Sequence, residues 1–435
     1  MILGDARKRC HMGADAYEVI RRDVLDRIEQ RRLRSDADLE TVRGEVRRAV
    51  DEYQRSSHRG DSVPLKDPDV MTERIVRSIT DFGPLTDLLA RTDVEEIFIE
   101  GARVTFLDTS GHLRGLTTPT TEEENRQIID RLLAATDRQL NTKQPIVQAR
   151  VLQGSARLTA AIPPIGDRLS ATLRRYTVRN VTLDYLVARG LLTGEAAAFL
   201  RVAMQFRSRI AISGEPGAGK TTLLAALLAA APTGHCVRCC EEIRELAIPV
   251  THGSYYEVRP PGFDGTGEIS MRDLVKFVLA MRPDRIVVGE VRGAEAFELS
   301  RAVNAGCGFL CTVHANNGAE ALNALVNAAL MAGENVTETI VRKVFSQSLD
   351  LVIHLDRDDV PTSERGVRRR IMEIAAVVPS LTDDFTIEPV FVRDALGRPL
   401  RWTGVIPTRF AERADRALGE GASVRDLFER ASVPA

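Results

Sequence analysis

Nothing in the 435-residue sequence stays apolar over about 18 consecutive positions, so no membrane-crossing helix is expected. Aromatic side chains are scarce, 5% of the residues with a single tryptophan, and the formal net charge is only −2. A basic groove with stacking rings, as single-stranded nucleic acid requires, has little to be built from. Cysteines are few as well. Cys236, Cys239 and Cys240 contain a C-x-x-C spacing, but no second pair or nearby histidine couple completes a zinc site. They suit an apolar strand with small buried thiols better. There is no internal repeat and no low-complexity tract. The opening residues, through Arg7, Lys8 and Arg9, are basic with no apolar core behind them, which does not fit a secretory signal. A cytoplasmic protein that reaches a membrane only through partners is expected.

What is present is the composition of a globular chain, 44% hydrophobic and 28% charged, long enough for two or three domains with their own cores. Residues 15–57, with Val24, Leu25 and Ile28 at helical intervals, suggest two amphipathic helices broken near Arg34, their interleaved charges forming a solvated face. A polar linker over 58–69 precedes a helix over 70–81 and a turn at Phe82, Gly83 and Pro84. Short strands at 95–99 and 103–107, a helix over 121–135 and a strand pair around Gln153 and Gly154 make an α+β module. From about Thr182, apolar runs at 209–213, 285–289, 308–313 and 349–355 alternate with helices. That alternation predicts an α/β domain with a mostly parallel sheet and helices on both faces. After Pro379 the pattern loosens into a less regular tail. The expected division is an N-terminal helical segment and linker at 1–62, a smaller α+β domain at 63–180, the α/β domain at 181–380 and a C-terminal tail at 381–435.

The most informative stretch is Gly214, Glu215, Pro216, Gly217, Ala218, Gly219, Lys220 and Thr221, a complete G-x-x-x-x-G-K-[ST] phosphate loop. It follows a buried strand, and from Thr222 it continues as an apolar helix, the context its chemistry requires. Glycines let successive N–H groups turn inward around a polyphosphate, and the new helix aims its positive end at the same spot. Lys220 is matched to the β and γ phosphates of ATP and the Thr221 hydroxyl to Mg²⁺.

A second acidic strand completes such a site. The strand from Arg285 would usually end in aspartate; here Gly289 takes that place and Glu290 follows. Its carboxylate lies at the carboxyl edge of the sheet, within reach of the magnesium shell or the attacking water. Glu241, Glu242 and Glu245 follow the Cys236–Cys240 strand and are candidates for the water-activating base. His314 closes the strand at 308–313, beside Asn316. By position alone it is either a structural histidine or a sensor of the γ-phosphate.

Taken together, the phosphate loop, the Glu241/Glu242/Glu245 box, the run from Met281 to Ala296 and the Thr312-Val-His-Ala-Asn316 segment resemble the type II/IV secretion ATPase superfamily. The branch most similar is the one that powers Flp (tight-adherence) pilus assembly. Phe82 to Leu89, Ala149 to Arg157, Ile162 to Pro164, Leu173 to Arg175, Asp350 to Arg357 and Gly366 to Ile374 agree with it, and the likeness covers about residues 75–380.

The resemblance implies a RecA-like ATPase core, a smaller N-terminal domain, a homohexameric ring and nucleotide held between the domains. It implies Glu241 as catalytic base, Glu290 in the acidic-strand role and His314 in the histidine-box role. Arg150, Arg157 and Arg174 match family arginines that reach the bound phosphates. It also implies inner-membrane platform proteins as partners, and no nucleic acid. Three departures bear on turnover. Glu242 stands where aspartate is usual, Cys307 lies near a common first histidine in a stretch one residue short, and Ala280 occupies a frequent arginine position. The tetracysteine zinc module of some type II relatives is absent. Three readings follow: a motor, a nucleotide-gated scaffold with little turnover, and a RecA-like nucleic-acid motor.

Overall fold

The computed structural model describes residues 3–30, 39–60, 62–109, 111–176, 181–262, 265–302, 306–333, 335–358, 368–379, 385–395 and 397–418. They fall into two compact units, Met1–Thr177 and Val178–Ala435.

The first unit opens with three helices, α1 (Leu3–Gln30), α2 (Leu39–His58) and α3 (Pro68–Thr80). Tyr17, Ile20 and Val24 repeat at helical spacing on α1 and bury against Val42, Val46 and Val50 of α2 and Ile75 and Val76 of α3. Helix α3 starts where it does because the Asp67 side chain accepts the Val70 N–H and Pro68 fits the first turn. The segment expected to stand apart at 1–62 therefore shares its core with a helix beyond that limit.

Next come α4 (Thr86–Ala90), β1 (Val94–Glu100), β2 (Arg103–Asp108), β3 (Leu113–Gly115), α5 (Glu122–Leu133), β4 (Ile146–Val151), β5 (Ala156–Ala161) and β6 (Ser170–Arg175). The strands pair antiparallel in the order β3-β2-β1-β6-β5-β4. Ile128, Ile129 and Leu132 of α5 share a buried cluster with Ile97, Ile99 and Leu158 of the sheet.

The second unit runs α6 (Leu183–Ala188), α7 (Gly194–Gln205), β7 (Ile210–Gly214), α8 (Lys220–Ala229), β8 (Cys236–Glu241), β9 (His252–Glu257), α9 (Met271–Leu279), β10 (Arg285–Val288), α10 (Glu295–Ala302), β11 (Gly308–Val313), α11 (Gly318–Leu330) and α12 (Glu338–Ser348). It ends with β12 (Leu351–Asp358), β13 (Arg368–Val378), β14 (Thr386–Val392), β15 (Arg401–Trp402) and α13 (Thr408–Leu418). Its strands form one sheet in the order β15-β14-β13-β12-β7-β11-β10-β8-β9. The portion from β12 to β9 is parallel, and β13, β14 and β15 extend it antiparallel.

Alternate strand residues serve opposite faces. Ile210, Ile212 and Leu310 pack with α7 and α8, while Ala211, Phe309 and Cys311 pack with α10 and α11. The less regular tail expected after Pro379 is corrected here. Val390 and Phe391 of β14 and Phe410 and Ala414 of α13 join the same core as α8. Sequence reading missed them because Pro389 interrupts β14, at the point where its register with β13 shifts. Among the described residues no helix is long and apolar enough to cross a membrane, and no group of three or more metal-ligating side chains is assembled.

Candidate functional site

The site is built at the carboxyl edge of the parallel strands, where β7, β11, β10 and β8 each release their chain. After β7 the loop turns through Gly214, Gly217 and Gly219, with φ of +149°, +77° and +97°. Side chains rarely adopt such values. At Gly214 a Cβ would also be driven into the backbone carbonyl of Leu355 on β12. Gly214→Ala is expected to cost about 3 kcal/mol of stability, read as a lower urea midpoint with unchanged slope.

Helix α8 then begins at Lys220 with Gly219 at its cap and no side chain accepting from its first turn. Its leading N–H groups are left for a ligand, the arrangement that suits an anion. Glu215 and Pro216 are exposed at the rim, Ala218 is buried, and Thr221 and Thr222 sit half-buried in the first turn.

Lys220 is 8% exposed. Its ammonium donates to the Gly214 carbonyl at 2.7 Å, the Glu215 carbonyl at 3.0 Å and His314 Nδ1 at 3.2 Å. A lysine has only protons to give, so Nδ1 accepts and the ring proton lies on Nε2. That nitrogen is 2.8 Å from Glu290 Oε1. Lys220, His314 and Glu290, each released by a different strand, thus form one chain of polar contacts.

The network continues through a residue to which sequence reading gave no role. Arg292 grips Glu290 with Nε at 2.8 Å and Nη2 at 3.0 Å, and holds both Glu242 oxygens at 3.1 and 2.9 Å through Nη1. Burial raises the Glu290 pKa, but the hydrogen bond and charge of Arg292, with the charge of Lys220, outweigh it, so the carboxyl stays below its usual range. Its signals in sequence were proximity, two residues past Glu290, and its place within the run from Met281 to Ala296.

Glu241 lies in a different environment. It ends β8, is 3% exposed, and accepts the Glu245 and Leu246 N–H groups on Oε1 at 3.0 and 3.2 Å. Its Oε2 is buried with no hydrogen-bond partner among the described residues. Burial pushes its pKa up to about 7, the two backbone N–H groups pulling the other way. The glycine at 289, where aspartate is usual, has a spatial reason: a Cβ there would stand 3.0 Å from Glu241 Cγ. Glu241 fills the room that the missing side chain leaves.

The remaining sequence features separate by position. Cys307 and Ala280 precede β11 and β10, at the strand ends opposite the loop, so neither departure touches this network. Cys236, Cys239 and Cys240 lie along β8, the last two fully buried. Arg150, Arg157 and Arg174 belong to the first unit, on β4, β5 and β6. There Arg150 pairs with Arg157 and Arg157 with Arg174, so the three occupy one rung of adjacent strands. Arg174 is 3.7 Å from Glu96, its neighbour on β1, and Arg150 Nε donates to the Gly154 carbonyl at 3.1 Å.

A glycine loop and an uncapped helix at the carboxyl edge of a parallel sheet with helices on both faces define a RecA-like P-loop ATPase core. More particularly, the chain belongs to the type II/IV secretion system protein family, whose model matches residues 78–381. A protein of Mycobacterium tuberculosis (strain ATCC 25618 / H37Rv) named for conjugal transfer is 32% identical over 324 residues, 72% of this chain and 90% of its own length. The conjugal transfer protein TrbB of Rhizobium radiobacter is 29% identical over 311 residues, 69% of this chain and 90% of its own. The crystal structure of the pilus retraction motor PilT with bound ADP shares the fold, with a TM-score of 0.50 at 19% identity over 68% of this chain and 82% of that one.

Proposed function

We propose that this chain is an ATP hydrolase that works as a homohexamer, driving export or assembly of pilin-like subunits through inner-membrane platform proteins, most like the Flp (tight-adherence) branch. Its place is the cytoplasmic side of the inner membrane, held there by those partners. The observation that carries this reading is the Lys220–His314–Glu290 chain set beside the buried Glu241. Two carboxyls with opposite pKa shifts stand at one strand edge, one kept ionised and one poised near neutrality. Glu241 is the base for water, through its unpartnered Oε2. Glu290 and the Thr221 hydroxyl offer the hard oxygen donors that Mg²⁺ takes, and Mg²⁺ there would offset phosphate charge. His314 links the lysine that meets the phosphates to Glu290, so it senses the γ-phosphate.

Arg150, Arg157 and Arg174, on one rung of the first unit, supply charge that stabilises the transition state. Alanine at any of the three should lower kcat more than ATP affinity, and the losses should be non-additive if the rung acts as one clamp. ATPase rate against protein concentration, with light-scattering mass, tests the ring. A fully active monomer, or arginine variants of normal kcat, would overturn the mechanism.

One observation favours a second reading, a nucleotide-gated scaffold of little turnover: Glu290 is already committed to Arg292 and His314. Steady-state turnover of the assembled ring separates the two. ATPase activity stimulated by DNA would instead point to a nucleic-acid motor. Prepilin and platform-protein genes beside this one would favour the pilus system over other export.

A further inference from the structure

The phosphate loop leaves β7 between two neighbours. On the β11 side it meets His314. On the other side stands the antiparallel pair β12–β13, and that pair carries two arginines on one rung, Arg357 opposite Arg369. Residues directly opposite in an antiparallel pair project to the same face. Here that face is the one whose neighbouring same-face pair, Leu355 opposite Ile371, packs in the core with α8. The rung therefore carries the α8 face of the sheet outward, from apolar core to a pair of guanidinium groups.

Both groups lie against the middle of the loop. Arg369 Nε donates to the Gly217 carbonyl at 2.9 Å, and its Cδ is 3.6 Å from where a Cβ on Gly219 would stand. Arg357 Nη1 is 2.5 Å from the Cβ position of Gly217. Gly217 is thus glycine for two reasons, its φ of +77° and the arginine occupying the space of a side chain.

We propose that Arg357 and Arg369 are phosphate ligands supplied by the same unit as the loop, gripping the part of the phosphate chain that ATP and ADP share. The proposal rests on the reading that the loop binds a nucleotide. Lys220, with His314 and Glu290 behind it, serves the β and γ phosphates. The arginines flank the loop from the opposite neighbour strand, nearer the α and β phosphates that the loop N–H groups cradle. A guanidinium presents a planar fork that matches phosphate oxygens two at a time.

The chemistry predicts a signature different from that of Arg150, Arg157 and Arg174. Those act on turnover; Arg357 and Arg369 act on affinity, for ADP as much as for ATP. Calorimetric titration of the full chain with MgADP should show Arg357→Gln and Arg369→Gln each binding about tenfold more weakly than wild type. Arg357→Lys and Arg369→Lys, which keep the charge and lose the fork, should recover about a third of that affinity or better. Wild-type affinity should also fall more steeply with salt than that of either glutamine variant.

Wild-type ADP affinity in the glutamine variants would overturn the proposal and leave the nucleotide reading intact. Lysine variants as weak as the glutamine ones would also overturn it, because a role confined to propping up Gly217 does not depend on charge. A wild-type chain that binds neither ADP nor ATP would remove the nucleotide reading itself, and with it the proposal.

Discussion

Lys220→Ala is expected to weaken ATP binding by two to three orders of magnitude, about 3 to 4 kcal/mol, and to leave no measurable hydrolysis. The ammonium is the one lysine cation delivered by the loop itself, and it is nearly buried. Three acceptors are already gathered round it, the carbonyls of Gly214 and Glu215 and the ring of His314. Alanine would strip all three of their donor and remove the charge matched to the β and γ phosphates. Because His314 donates its one ring N–H to Glu290, the variant should also loosen the magnesium side of the site. Calorimetric titration with ATP is the direct check; unchanged affinity would sink the phosphate-loop assignment.

Glu241→Gln should keep ATP binding and lose about 10² to 10⁴ in turnover, the usual share of a positioned base. Glutamine preserves the shape that fills the space over Gly289 and still accepts the Glu245 and Leu246 N–H groups. It cannot take a proton from water. Wild-type turnover should rise with pH through about 7, where the Glu241 carboxyl ionises.

Stability should move the other way. Burial raises this carboxyl from 4.5 to about 7, so the folded chain keeps a proton that the unfolded chain has released. Wild-type stability therefore falls as pH climbs from about 4.5 through 7. At roughly 1.4 kcal/mol per pH unit the cost approaches about 3 kcal/mol, which the glutamine variant does not carry. Above pH 7 the variant should melt higher than wild type while hydrolysing far more slowly. If instead it hydrolyses at the wild-type rate while Glu290→Gln is dead, Glu290 is the base.

What sequence revealed and what it withheld divide along a physical line. The phosphate loop was legible because its geometry is local: left-handed glycines between a buried strand and a helix are written within a dozen residues. The alternation of apolar runs with helices gave the parallel sheet for the same reason. Contacts that depend on strand order were not legible. His314 stood alone in sequence, open to a structural or a sensing role, because nothing local places β11 beside β7 and β10. Arg292 had no role of its own in sequence; only the placing of β8 beside β10 brings Glu242 within its reach. The three arginines of the first unit were found one by one through resemblance. Their sharing of a rung is a matter of register, which spacing in sequence does not encode. Gly289 read as a departure, and only the packing of Glu241 against it turns it into a fit.

The sheet order also has a consequence for synthesis. Strand β7, which carries the phosphate loop, pairs with β11 and β12. Those partners arrive roughly a hundred and roughly a hundred and forty residues later, with β13 and β14 later still. Such non-local pairing is slow to form and cannot start before the later strands leave the ribosome. The first unit, whose strand pairs all close within its own residues, can fold while the second is still being made. A growing chain therefore spends most of its synthesis without an assembled phosphate site, and nascent chains that stop short of β12 should be unable to capture nucleotide. Competence for ATP becomes a property of the nearly finished molecule.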